Sequence, residues 1–150
     1  MADKIHGIKN YLSHFLRAGR NGHGVHSPFA YKLCEEVFYN QEPFFDFQTL
    51  KNVRQELLKN RQLVNVGNFG AGSKKLRGEK RKVCDIAAKG ISTVRQSETI
   101  YRLANFLKIQ TCIEFGTSLG LNSLYLAMQN PSGKVFSIEG STELSQFASG

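Results

Sequence analysis

Two glycine turns and one acidic residue have the residue types and spacing that suit ligand binding. The first turn, Gly116 to Gly120, follows an apolar, β-branched run that contains Glu114, and Glu139 follows the next such run about 25 residues after Glu114. A glycine turn between a strand and a helix presents backbone N–H groups to a ligand. An acid at the tip of the next strand can accept hydrogen bonds from ribose hydroxyls. This spacing indicates a nucleoside site.

The turn departs from the dinucleotide fingerprint G-x-G-x-x-G at the second glycine. That glycine lets the backbone approach a pyrophosphate, and Ser118 stands in its place. A nucleoside cofactor without a pyrophosphate fits these residues best, and S-adenosylmethionine is the obvious one. The alternative is an ordinary capped turn, with Glu139 a solvated acid after a strand.

The second turn, residues 67–73, compares poorly with the P-loop pattern G-x-x-x-x-G-K-[ST]. Gly67 and Gly72 have the required separation, but Ser73 and Lys74 stand in reversed order. The lysine would then not reach the phosphates of a nucleoside triphosphate. Two interpretations stay open: a loop over or beside the cofactor cleft that holds an anionic substrate group, or a mobile connector.

The first turn is positioned by a predicted βαβ unit. Residues 111–115 and 134–138 are apolar strand patterns, and residues 121–129 between them predict a helix. Such a unit implies a parallel sheet with a right-handed crossover. Ligands of open α/β sheets bind at the carboxyl ends of the strands, where Gly116 and Glu139 both fall.

The chain before this unit is predicted to be mainly helical. Apolar spacing predicts helices over 5–17, 28–39, 48–60, 80–89 and 95–108, with a short strand over 63–66. Ser27 and Pro28 form a helix start, since a hydroxyl caps the first turn and proline suits its first position. Gly90 is expected to end its helix in the left-handed conformation.

Composition sets the broad class of the protein. The chain has 150 residues, 41% of them hydrophobic and 21% charged, so a folded domain is expected. Three separated cysteines support neither a disulfide framework nor a zinc site. No signal-peptide or membrane-spanning run occurs, so a cytoplasmic protein without membrane association is expected.

Positive charge is concentrated away from the glycine turn and Glu139. The net charge is +8, of which residues 1–110 contribute +10 and residues 111–150 contribute −2. Six of the nine residues 74–82 are lysine or arginine. Such a run can neutralise phosphates, although no aromatic residues alternate with it to stack on bases. A nucleic-acid partner and a solvated surface loop both stay open.

The four histidines all lie near the amino terminus. They are His6, His14, His23 and His26, and the last pair has a spacing compatible with metal binding. No nearby carboxylate or cysteine completes a ligand set, so no metal site is predicted.

The motifs of the βαβ unit resemble those of class I S-adenosylmethionine-dependent methyltransferases, in particular the O-methyltransferase-like branch. The resemblance rests on Ile113 to Gly120, Ser123 to Ala127 and Val135 to Gly140. Residues 23–31, 70–73 and 81–87 are similar to the amino-terminal part of uncharacterised bacterial members. The resemblance therefore covers most of the chain.

The resemblance implies a role for each residue of the turn. Gly116 would give the cofactor close access to backbone, Glu114 would orient its methionine amino group, and Glu139 would bind the ribose. Thr117, Ser118 and the helix start at Leu121 and Asn122 would bind the methionine carboxylate. Gly120 would let the helix pack tightly on the strand. The predicted cofactor-binding set is Glu114, Gly116, Thr117, Ser118, Gly120, Asn122 and Glu139, and no catalytic residue is assigned.

The expected fold class is α/β, with three segments. Residues 1–60 form a helical segment, 61–110 a glycine-rich and basic region with helices, and 111–150 the start of a Rossmann-like domain. The sheet of this family continues beyond two strands, so a truncated chain is expected, inactive or weakly active alone and able to self-associate through an exposed strand edge.

The expected function is methyl transfer to an unidentified acceptor, O-directed on a small molecule. Two alternatives remain: a basic module that binds RNA or another polyanion, and an inactive methyltransferase fragment.

Overall fold

The structure, a computed structural model, describes residues 27–67 and 79–150. These residues form a mixed α/β protein with two small sheets. They fall into two compact units, the first ending at Gln41 and the second beginning at Glu42. The predicted helix over 5–17, the four histidines and most of the second glycine turn lie outside the described residues.

The described part of the first unit is one helix. Helix α1 spans Pro28–Leu33 and continues as a π-helical turn over Cys34–Phe38. Pro28 occupies its first turn, and the Ser27 hydroxyl accepts a hydrogen bond from the Ala30 backbone N–H at 3.4 Å. The predicted helix start is confirmed.

The second unit contains the remaining helices and strands of the described chain. In chain order they are α2 (Asp46–Lys59), β1 (Leu63–Asn65), β2 (Lys80–Lys82), α3 (Val83–Lys89), α4 (Val94–Phe106), β3 (Thr111–Phe115), α5 (Leu121–Met128), β4 (Lys134–Ile138) and α6 (Thr142–Ser149).

The predicted βαβ unit is present. Strands β3 and β4 pair in parallel, with a register that runs from Thr111 opposite Lys134 to Phe115 opposite Ile138. Helix α5 connects them, and both strands have the bounds expected from their apolar runs. The Gly116 N–H donates to the Ile138 carbonyl at 2.8 Å, which carries the ladder into the glycine turn.

The region around residue 80 differs from its prediction. Lys80–Lys82 is not the start of a helix but a strand, β2, paired antiparallel with β1, and helix α3 begins only at Val83. The Val66 N–H donates to the Glu79 carbonyl at 2.7 Å and the Val83 N–H to the Gln62 carbonyl at 3.0 Å, one bond beyond each end of the ladder. Backbone pairing here overrides the helix propensity of lysine and arginine.

The end of α3 and the presence of helix α6 also differ from the sequence prediction. Gly90 has φ −103°, so it does not end α3 in the left-handed conformation. A Cβ at Gly90 would lie 3.1–3.3 Å from atoms of Ile86, so the glycine serves close packing. Helix α6 was not predicted, although Ser141 caps it by accepting from the Leu144 N–H at 3.2 Å.

The larger hydrophobic side chains of the second unit meet in one cluster. Phe47 and Leu50 of α2, Tyr101 of α4, and Leu121 and Tyr125 of α5 are all buried there. Residues from all three predicted segments therefore share one core. The division at residues 60 and 110 stays a prediction.

One face of the β3–β4 sheet remains exposed. Ile113 and Phe115 are 62% and 81% exposed, and their partners across the register, Phe136 and Ile138, are each 54% exposed. In the described chain this sheet has two strands, so no strand borders β3 on its outer edge. Self-association through that edge stays a prediction.

The helices of the described ranges are all too short or too polar to cross a bilayer.

Tyr101 offers a test of the aromatic core. Its buried hydroxyl donates to Asp46 Oδ2 at 2.6 Å, and its ring lies 5.0 Å from Phe44 and 5.1 Å from Phe47, between centroids. We expect Tyr101→Phe to lower the free energy of unfolding at pH 7 by about 1–2 kcal/mol, since Asp46 loses a donor while the ring packing remains. Denaturant titration measures this difference.

The same substitution has a defined pH dependence. Burial, and then the Asp46 carboxylate, raise the pKa of the Tyr101 phenol above its ordinary value. The folded chain therefore keeps this proton where the unfolded chain loses it, so the contribution of Tyr101 is complete below about pH 10 and falls as the pH rises further. We expect the stability difference between wild type and Tyr101→Phe to narrow toward about pH 11. A difference that widens there would contradict this assignment.

Candidate functional site

Glu139 joins the two loops at the carboxyl ends of β3 and β4. Its Oε2 accepts a hydrogen bond from the Ser118 N–H at 2.7 Å, and its Oε1 accepts one from the Ser141 N–H at 2.9 Å. A carboxylate has about four acceptor positions, so two backbone donors leave room for further hydroxyl donors. The carboxylate both braces the turn and keeps capacity for a ligand.

The first glycine turn has an unusual backbone conformation at three positions. Gly116, Ser118 and Gly120 have φ of 91°, 51° and 76°. The left-handed region costs a residue with a side chain about 1 kcal/mol, so Ser118 needs compensation that the glycines do not. The hydrogen bond from its N–H to the Glu139 carboxyl group supplies that compensation.

The two glycines of this turn have different surroundings. A Cβ at Gly116 would meet no heavy atom of residues 27–67 and 79–150 within 4 Å, so this part of the chain leaves the backbone there open to a ligand. A Cβ at Gly120 would lie 3.2 Å from the Ala148 Cβ. Gly120 was expected to allow close packing of its helix on the strand, but its closest neighbours belong to Ala148 of α6.

Glu114 lies in a hydroxyl network on the other face of β3 from Ile113 and Phe115. Its Oε2 accepts from the Ser137 hydroxyl at 2.6 Å and from the Ser123 hydroxyl. The Ser137 and Thr117 hydroxyls lie 2.6 Å apart. Glu114 and Thr117 of the predicted set are thus joined through Ser137, which faces Glu114 in the strand register. Sequence reasoning missed Ser137. Aligning the two predicted parallel strands would have placed Ser137 opposite Glu114.

The Asn122 side chain is directed to helix α4 and the segment before it. Its Oδ1 accepts from the buried Ser97 hydroxyl at 2.7 Å, and its Nδ2 donates to the Ser92 hydroxyl at 3.0 Å. The structure therefore does not bring this side chain together with Glu139 and Ser118. A cofactor contact at Asn122 remains a prediction for its backbone N–H.

The two hydrogen bonds of the Asn122 side chain predict an effect on stability without an effect on ligand affinity. We expect Asn122→Ala to lower the free energy of unfolding by about 1–3 kcal/mol, because the buried Ser97 hydroxyl loses its acceptor. The backbone N–H at residue 122 is retained, so affinity for S-adenosylhomocysteine should change less than about threefold, which is under 1 kcal/mol. Thermal melts and calorimetry on one preparation measure both quantities. Lost affinity at unchanged stability would show a direct ligand contact by the side chain.

A cleft of about 220 Å³ is lined by residues 140–143, the segment that follows Glu139 in the chain. The end of β1 borders it, since the Asn65 N–H donates to Glu143 Oε2 at 2.7 Å and the Ser141 hydroxyl donates to the Asn65 carbonyl. These bonds place the β1–β2 hairpin next to the carboxyl end of β4. Sequence reasoning did not identify this set. The lining residues are Asn65, Gly67, Gly140, Ser141, Thr142 and Glu143.

The second glycine turn enters this cleft only through its first residue. Gly67 lines the cleft and has φ 62°, with its N–H bonded to the Asn65 side-chain oxygen at 3.0 Å. Residues 68–78 lie outside the described part, so the position of that loop stays a prediction. Within residues 27–67 and 79–150, no group of three or more His, Cys, Asp or Glu side chains is close enough to hold a metal ion.

Comparison with known proteins found no matching family model, no matching curated protein and no matching solved structure.

Proposed function

We propose that this chain binds S-adenosylmethionine at the carboxyl ends of β3 and β4, as the cofactor-binding part of a methyltransferase with a Rossmann-like sheet. The observation that carries the proposal is Glu139. It follows the second strand of a parallel pair and holds the turn of the first strand through the Ser118 N–H. This is the position at which an acid binds ribose in open α/β sheets.

The residues around Glu139 fit such a cofactor. Gly116 offers backbone that no described residue approaches within 4 Å of the place where a Cβ would stand. Thr117, Ser118 and the start of α5 would supply donors to the methionine carboxylate, and Glu114 would accept from its amino group. Glu139 would accept from the ribose hydroxyls with its free lone pairs. Gly120 supports the turn by admitting Ala148 at close range.

The cofactor supplies an already activated methyl group. The chain's own contribution is orientation, because holding an acceptor in line with that group accounts for much of the acceleration in such transfers. A protein base is required only if the acceptor must lose a proton. The proposed acceptor is an oxygen nucleophile, and no residue is assigned to proton transfer.

Calorimetry with S-adenosylhomocysteine tests the proposal on the 150-residue chain. We expect saturable binding and a rise in melting temperature, since a ligand at a hundred times its dissociation constant stabilises the folded state by about 2.7 kcal/mol. No heat and no thermal shift at millimolar S-adenosylhomocysteine would refute cofactor binding. Turnover assays are uninformative until an acceptor is known, so binding is the primary readout.

A further inference from the structure

The β1–β2 hairpin has one inward and one outward face. Val64 is 3% exposed and packs in the core with Val83 and Ile86, and it pairs with Arg81 across the hairpin. The alternate residues face outward: Leu63 opposite Lys82, and Asn65 opposite Lys80. Both lysines are exposed.

Arg61 extends the outward face. The Cys84 N–H donates to the Asn60 carbonyl at 2.8 Å, so the backbone segments before β1 and after β2 stay paired beyond the strands. Arg61 precedes Leu63 by two residues, which places it on the same side of an extended chain. We call Arg61, Lys80 and Lys82 the basic face.

The basic face forms no salt bridge with another described residue. Within the described residues, the ion pairs involve Lys51, Lys59 and Arg102, and none involves Arg61, Lys80 or Lys82. Alternate residues on a strand lie about 6–7 Å apart, so the like charges of Lys80 and Lys82 in β2 repel unless anions bind between them. That separation suits successive phosphates of one strand rather than a single small anion.

The basic face leads to the proposed cofactor site. Its Asn65–Lys80 end is fixed to the cleft by the bonds of Asn65 to Ser141 and Glu143. Ser141 in turn donates to Glu139. The face therefore begins beside the residue proposed to bind ribose, which is where an acceptor must also approach.

We propose that the basic face binds phosphate groups of the methyl acceptor, with more than one phosphate engaged at once. The assignment of these phosphates to an acceptor rests on the proposed function, whereas phosphate binding by the hairpin does not. An RNA strand and a small polyphosphorylated compound both offer this chemistry. The spacing of Lys80 and Lys82, alternate residues of β2, favours the strand.

Fluorescence anisotropy with a labelled single-stranded RNA dodecamer tests this on the whole chain, without cofactor. Each phosphate contact on a single strand contributes about −0.7 to the slope of log affinity against log salt. We expect Lys80→Glu combined with Lys82→Glu to weaken RNA binding at least tenfold and to reduce the steepness of that slope by about 1.4. Lys80→Gln combined with Lys82→Gln should also weaken RNA binding, but by a smaller factor.

Arg95→Glu combined with Lys134→Glu is the matched control. Both residues are exposed and lie outside the hairpin, and the change in net charge is equal. An equal loss of RNA affinity in both double variants would overturn the proposal, because net charge alone would then explain binding. No measurable RNA or triphosphate binding by the wild type at low salt would also overturn it.

Inorganic triphosphate as competitor distinguishes the source of the phosphates. RNA that binds far more tightly than triphosphate supports a strand, and comparable affinities support a small polyphosphorylated acceptor. S-adenosylhomocysteine binding should be unchanged in the Lys80/Lys82 variants. A chain that binds RNA through the basic face but never binds S-adenosylhomocysteine would refute the proposed function and leave phosphate binding in place.

Discussion

Glu139→Ala is expected to lower the affinity for S-adenosylhomocysteine by about 100-fold or more. Hydrogen bonds to a charged group contribute about 1.5–3 kcal/mol each, and about 2.7 kcal/mol corresponds to 100-fold. Two ribose hydroxyls that donate to the Glu139 carboxylate would account for that loss. Isothermal titration calorimetry of the purified variant measures it directly.

Glu139 also has a structural role, which must be separated from ligand binding. Its loss leaves the Ser118 and Ser141 N–H groups without their acceptors and removes the support for the left-handed Ser118. We therefore expect Glu139→Ala to lower the free energy of unfolding by about 1–3 kcal/mol as well. The melting temperature of the ligand-free variant shows whether enough folded protein remains for calorimetry.

Glu143→Gln provides the matched control for Glu139. Glu143 lies four residues after Glu139, lines the neighbouring cleft and accepts a hydrogen bond from the Asn65 backbone N–H at 2.7 Å, but it has no predicted ribose contact. Its substitution should weaken the anchoring of the hairpin and change affinity for S-adenosylhomocysteine less than about threefold. Wild-type affinity in folded Glu139→Ala, or equal losses in the two variants, would refute ribose binding by Glu139.

The parts of the fold that could be predicted were those in which local pattern and tertiary environment agree. Residues 111–115 and 134–138 are apolar, β-branched runs between turn residues, and both form the expected parallel strands. The helix at Pro28 has its cap and its proline in adjacent positions. Each signal lies within the segment it describes, so no knowledge of distant contacts was needed.

The β1–β2 hairpin shows where such reasoning fails. Lys80–Lys82 has the composition of an exposed helix start, and only its pairing with Leu63–Asn65, across a separation of about 17 residues, makes it a strand. Asn65, Ser141 and Glu143 also meet through contacts between segments far apart in sequence. Spacing along the chain contains no signal for either arrangement, and both determine what lies beside Glu139.

The glycine turn could be predicted from the sequence only in part. The need for glycine at residues 116 and 120 followed from the motif, and both have positive φ. The motif did not indicate that Ser118 would adopt the left-handed conformation, or that Glu139 would hold it through a backbone bond. That compensation explains how a serine is accommodated where the dinucleotide pattern has a glycine.

Gly120→Ala is expected to lose more stability than Gly116→Ala, whereas Gly116→Ala is expected to lose more affinity for S-adenosylhomocysteine. Both place a side chain at positive φ, which costs about 1 kcal/mol. At Gly120 the new methyl also approaches the Ala148 Cβ at 3.2 Å, so overpacking should raise the total loss of stability to about 2–4 kcal/mol. At Gly116 the methyl meets no atom of the described residues within 4 Å, so stability should fall by only about 1 kcal/mol.

Affinity for S-adenosylhomocysteine should follow the reverse order. The Gly116 methyl would occupy the space through which the cofactor reaches the backbone, so at least a tenfold loss is expected, about 1.4 kcal/mol. Folded Gly120→Ala should bind within about threefold of wild type, because its added methyl faces α6 rather than the open side of the turn. Denaturant titration ranks the two variants by loss of stability, and calorimetry ranks them by loss of affinity. If the variant that loses more stability also loses more affinity, one general distortion of the turn causes both effects. That result would remove Gly116 from the proposed binding surface.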